Sequence, residues 1–200
     1  MPFTQFKQED FKSFGYKYQT QLLFDKKEIK SVRPSKWLIE TLNRANSTGY
    51  NNEKSRSERL VSPILIELHE QNKGIFTLHS GVTLNVDESK GLNGECDFVL
   101  SHEQNTDYLH APIFCITEAK KQDMEGGTVQ CGFQLIAAKT YNEREGYHFD
   151  TIYGCTSSGV EWRFIKIVEN QIIADIKHYT IDNLPVLLGV LQKIIEDTNK

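Results

Sequence analysis

The chain has 200 residues, room for one domain with a sizeable core, and 38% hydrophobic with 25% charged residues is ordinary for a globular protein. A formal net charge of -4 argues against a protein that coats nucleic acid by bulk positive charge, though not against a local basic groove. The first residues lack the basic start and apolar stretch of a signal peptide, and no apolar run approaches the roughly 20 residues of a membrane span, so the expected compartment is the cytoplasm.

Residues 1–50 read as an N-terminal extension with a helix packed on the core, and 51–200 as the main domain. Residues 1–34 are polar with scattered aromatics (Phe3, Phe6, Phe11, Phe14, Tyr16, Tyr18) and predict one short helix or strand. Asp25 and Glu28-Ile29-Lys30 spell an acid followed by Glu-x-Lys, but no buried strand precedes either acid, so the stretch reads as a solvated turn. Pro34 followed by Trp37, Leu38 and Leu42 predicts a helix over 35–46. After a loop at 48–52, a second helix is expected from 54 or 57 to about 71. Its buried stripe is Leu60, Val61, Ile64, Leu65 and Leu68, and Pro63 should kink it or mark its first turn. Stepping 100° per residue sets Glu58 and Glu67 on opposite borders of that stripe and turns Glu70 away.

Ile75–His79 and Val82–Val86 predict a hairpin turning at Ser80-Gly81, followed by a polar loop to Gly94. The next two strands, 94–100 and 111–120, are apolar runs carrying an acid where burial calls for another apolar residue. Side chains alternate faces along a strand, so Glu118 and Lys120 point together, and Asp97 joins them if the strands are neighbours. Glu95 shares a face with Asp97 and is a lesser candidate ligand. Burying such charges costs several kcal/mol each unless they are paired or hold a cation. Two carboxylates plus water suit Mg2+ or Mn2+ better than Zn2+, and a lysine there can orient or deprotonate a water. Cys96, Cys115, Cys131 and Cys155 form no Cys-x-x-Cys and are expected to be reduced core residues, the first two opposite Asp97 and Glu118.

The connection at 102–107 reads as a turn and 121–127 as a flexible loop. A helix is expected over 128–143, packing through Val129, Phe133, Ile136 and Ala137, with Gln130 in its first turn and Gln134 one turn on. Strands over 149–155, 160–168 and 171–179 follow, then a helix over 184–196 with a leucine and isoleucine stripe. Arg163, alone on its strand, reads as a solvated residue rather than a phosphate contact. No phosphate-cradling GxxxxGK[ST], GxGxxG or HExxH occurs, and the six histidines lack ligand spacing.

Helix, strands, an acid and then Glu-x-Lys, in that order over roughly 57–163, resemble the PD-(D/E)xK nuclease superfamily, the fold of restriction endonucleases. The resemblance implies an α/β protein with a restriction-endonuclease-like mixed central β-sheet flanked by helices. It implies a hydrolase that cuts nucleic acid, DNA rather than RNA, with Mg2+ or Mn2+. Asp97 and Glu118 would be metal ligands and Lys120 would position the water. Ser57-Glu58-Arg59 before Pro63-Ile64-Leu65 is similar to the entry helix of type I restriction enzyme R subunits, which favours Glu58 over Glu67 as a third acid and ligand. Gln130 would be a helix glutamine of the site, although the tyrosine of a Gln-x-x-x-Tyr pattern is missing. A homodimer is also part of that expectation. The alternative is an accessory or binding module with the same fold and weak or absent metal chemistry.

Overall fold

The apolar residues of the central strands divide between two cores, one on each face of a single sheet. In the computed structural model, which describes residues 2–103 and 107–199, seven strands run in the order β1-β7-β6-β5-β4-β3-β2. They are β1 Lys17–Gln21, β2 Thr77–Thr83, β3 Glu95–Ser101, β4 Ile113–Ala119, β5 Thr151–Ser157, β6 Glu161–Val168 and β7 Gln171–Thr180. The pairs β1–β7 and β4–β5 are parallel and the other four antiparallel, so the sheet is mixed.

Three helices cover one face: α1 Lys36–Thr48, α3 Ser62–Gln71 and α5 Leu184–Thr198. They bury Leu38, Ile64 and Leu188 against Phe98, Phe114, Cys155 and Phe164. The other face lies under the 21-residue helix α4 Met124–Arg144, where Phe133 and Ala137 meet Val99, Ile116, Ile165 and Phe11. With both faces covered, β4 is buried at every position, which is why it reads in sequence as a continuous apolar run rather than an alternation. Among the described residues, no helix is long and apolar enough to cross a membrane.

The helices over 35–46 and 184–196 and the three late strands stand where the periodicity placed them, within a few residues. Ser35 caps α1, its hydroxyl accepting from the Leu38 N–H at 3.1 Å. Asp25 lies in a turn, bonded to the Lys27 and Glu28 amides. Elsewhere the chain departs from the sequence reading. The expected hairpin is one continuous strand, β2, that passes straight through Ser80-Gly81. The neighbouring β3 pairs with it from Thr77↔Ser101 to Thr83↔Glu95, and Gly81 takes a φ of 62° as the ladder skips past it.

The second helix is broken into three pieces: the short α2 Glu53–Arg56, a π-helical turn over Ser57–Val61, and α3. Pro63 sits in the first turn of α3 and has no N–H to give back to the preceding turn, while the Ser62 N–H reaches Ser57 O. Helix α4 starts four residues earlier than expected, because Asp123 caps it by accepting from the Gly126 N–H at 2.8 Å. The expected turn at 102–107 falls partly on Gln104–Thr106, outside the described residues. All four cysteines are buried and free, but Cys96 packs in the α4-side core and not opposite Glu118.

The first 50 residues contribute an edge strand and a helix to the same sheet and cores as the rest. Phe11 is fully buried and stacks on Phe133 of α4, ring centroids 4.4 Å apart, and on Tyr18 of β1 at 5.7 Å. Phe11→Ala is therefore expected to cost about 3–5 kcal/mol of stability in urea denaturation. A loss under about 1 kcal/mol would mean that this segment is dispensable to the fold.

Candidate active site

Strands β3 and β4 hold adjacent registers as far as Phe98↔Thr117, and the next residues along are Asp97 and Glu118. There the ladder gives way to a side chain: Asp97 Oδ2 accepts the Ala119 N–H at 2.7 Å. Lys120 continues past the end of β4, its own N–H donating to Ser157 O at 2.7 Å on β5. Alternation returns its side chain to the side of Glu118, and Nζ lies 2.8 Å from Glu118 Oε1. Asp97, Glu118 and Lys120 are thus brought together at one end of the sheet.

Helix α4 crosses directly over this point. Gln130 and Gln134, one turn apart on its inner face, donate to Glu118 Oε1 at 2.5 Å and Oε2 at 2.8 Å. Gln130 therefore contacts the carboxylate directly. Gln134, fully buried, also reaches Glu95 O at 3.4 Å. The close approach of α4 depends on Gly127, where an added Cβ would lie 2.5 Å from Thr156 Cγ2 and 2.7 Å from Lys120 Cγ.

The third acids proposed from the helical wheel are placed differently. Glu67 is turned away from the site: its carboxylate accepts the Ser35 N–H at 2.7 Å, the Ser35 hydroxyl at 2.6 Å and the Gln71 amide at 2.7 Å, so it fixes the start of α1. Glu58 stands on the π-helical turn, exposed and 3.9 Å from Lys54. It lines a cleft of about 510 Å³ with Glu53, Ser80, Glu95 and Asp97. The acid that reaches the centre is Glu53, at the head of α2, with Oε1 3.8 Å from Lys120 Nζ. The wheel assumed one unbroken helix, and the π turn shifts its phase. Two signals pointed to the missed residues: Asn52 ahead of Glu53 as a cap, and the Gln-x-x-x-Gln spacing that puts Gln134 beside Gln130.

Electrostatically the centre is short of positive charge. Burial pushes the Glu118 carboxyl up to about 7, with Asp97 adding to the rise and Lys120 and Gln134 opposing it. Asp97 is raised too, first by burial and then by Glu53 and Glu95, against the pull of the Ala119 N–H and Lys120. Burial alone would lower Lys120, but Glu118, Glu53 and Asp97 outweigh it and hold the ammonium protonated. A divalent cation relieves this kind of crowding. Asp97 Oδ1 has no described partner, and Glu118 Oε2 accepts one donor and so keeps a lone pair. Among the described residues, no group of three or more His, Cys, Asp or Glu forms a ready cage. Mg2+ commonly uses one or two carboxylates and completes its octahedron with water and substrate phosphate.

No protein-family model matches the chain, and no curated protein matches it either.

A carboxyl raised on folding stabilises the fold below its ordinary pKa and loses that contribution as pH climbs through the folded value. Metal-free protein should therefore lose stability as pH rises from 4.5 through about 7. In Glu118→Gln that part of the slope should vanish, as read by urea titrations at a series of pH values. Parallel curves for the two proteins would contradict the burial assigned to Glu118.

Proposed function

We propose that the chain is a metal-dependent nuclease of restriction-endonuclease-like fold that hydrolyses phosphodiester bonds of nucleic acid, DNA in preference to RNA. The observation that carries this reading is the convergence of Asp97 and Glu118 from adjacent antiparallel strands with Lys120 Nζ 2.8 Å from Glu118. A mixed sheet flanked by helices on both faces supports it. So does the position of the site at the end of β4, where Asp97 lines the Glu53–Glu58 cleft.

Asp97 and Glu118 would hold Mg2+ or Mn2+, with Glu53 or Glu58 available at the cleft for a further ion. Such a cation, when bound, supplies charge stabilisation at the phosphoryl oxygens and makes water more acidic. The protein's own contribution is positional. Gln130 and Gln134 fix the Glu118 carboxylate, and the Ala119 N–H fixes that of Asp97. Lys120 stays an ammonium, so it donates from Nζ to orient the attacking water or a phosphate oxygen, and does not act as the base.

One observation favours the accessory module as the second reading. Lys120 is held between two carboxylates, and Glu118 Oε1 already accepts two donors, so the lysine and that oxygen are partnered without a ligand.

The decisive experiment incubates wild type, Asp97→Asn and Lys120→Met with circular DNA, linear DNA and RNA in Mg2+ or Mn2+. Cleavage by wild type should fall by about 100-fold or more in each variant. Cleavage surviving in both would move the activity elsewhere. No cleavage, with no metal binding by calorimetry, would leave the accessory module. Gly127→Ala should also lose most of the cleavage while remaining folded by circular dichroism, because the new methyl displaces Lys120. Full activity in that variant would show that Lys120 tolerates displacement.

A further inference from the structure

The row of side chains that starts at the acid pair continues across the sheet. Glu118 pairs with Thr156, and Thr156 with Arg163, so the three share a face beneath α4. At the 4.7–4.9 Å spacing of strands, Arg163 stands two strands, or roughly 10 Å, from Glu118. It is half-buried, and its Nε donates to Asp175 O at 3.1 Å, which anchors the guanidinium. Among the described residues its two terminal nitrogens have no partner. Arg163 lines a cleft of about 560 Å³ between the first turn of α4 and strand β1, together with Tyr18, Gln19, Thr20, Gly126 and Val129. Tyr18 is braced there by Phe11, with the rings stacked at 2° between planes. Glu125 stands at the rim, so the attraction is local to one arginine and does not make a broad basic surface.

A charge-bearing planar fork, a braced aromatic ring and a run of amide and hydroxyl groups together match one kind of ligand, a nucleotide within a strand. An arginine takes a phosphate in two hydrogen bonds, and an aromatic ring takes the face of a base. We propose that this cleft is a subsite for a nucleotide flanking the scissile bond, with its phosphate on Arg163 and its base against Tyr18. The proposal rests on the nuclease reading, and it adds where the substrate strand runs: from the acid pair, past the head of α4, toward β1.

The test is fluorescence anisotropy with a labelled single-stranded oligothymidylate, and with the matching oligouridylate and a duplex as parallel arms. Ca2+ replaces Mg2+ so that binding is read apart from cleavage. Arg163→Gln should weaken binding of the oligothymidylate about tenfold and lower the slope of log K against log salt by about 0.7, the loss of one phosphate contact. Tyr18→Leu should weaken it about tenfold with no change of slope. Because both residues also pack, Thr20→Glu serves as a third variant. This exposed position on the cleft rim should weaken binding without touching the core, while Asn43→Glu on α1 should leave it unchanged. Wild-type binding that none of the three cleft variants alters would overturn the subsite. Wild-type binding altered as expected, but with no cleavage in any metal, would keep the subsite and remove the hydrolytic reading. No binding of any oligonucleotide by wild type would overturn both.

Discussion

The buried carboxylate of Glu118 is the constraint around which the other parts are arranged. It sits at the end of an apolar strand, 3% exposed, where an unpaired charge would cost several kcal/mol. Three donors meet it: Lys120 from its own strand, and Gln130 and Gln134 from the helix above. To deliver those amides, α4 must lie flat against the sheet, and Gly127 permits this where any side chain would collide with Lys120 and Thr156. The helix start in turn depends on the Asp123 cap. A single acid therefore accounts for the placement of α4, the choice of glycine in its first turn and the glutamine pair on its inner face.

The same arrangement leaves the site unbalanced. One ammonium meets Glu118, Glu53 and Asp97, and the carboxyls of Asp97 and Glu118 are raised above their ordinary values, by burial first. Buried ion networks in general do little for net stability, and an excess of like charge does less. Perturbed groups of this type concentrate at functional sites. The cysteines around the site do not share this character. Cys155 is driven up to about 12 by burial and is a packing residue, not a nucleophile.

The acid pair and its lysine were legible because they break a pattern: β3 and β4 are apolar runs, and a charge within such a run stands out. The late strands and α5 were legible from periodicity alone. Three features were not. The Ser80-Gly81 pair carries the local signal of a turn, but the pairing offered by β3 along its whole length outweighs it. Residues 57–61 show ordinary helical spacing, and nothing local announces a π turn, so the wheel pointed to Glu58 and Glu67 while Glu53 took the place beside Lys120. Arg163 looks like any solvated strand residue until the register sets it in one row with Glu118 and the cleft of β1 encloses it.

The pairing of β1 with β7 has a consequence in time as well as in space. The acid pair lies on β3 and β4, antiparallel neighbours joined by one short connection, and contacts of that kind form readily. Strand β1 has no partner until β7 exists, and residues bonded across that seam, such as Gln19 and Gln171, are 152 positions apart. The cost of closing so long a loop makes this seam a late event. The corner that holds the acid pair can therefore assemble while the chain is still incomplete, but the wall that carries Tyr18 cannot. During synthesis, the carboxylates would be in place before the proposed nucleotide groove, so any selectivity along that groove would be the last property to form.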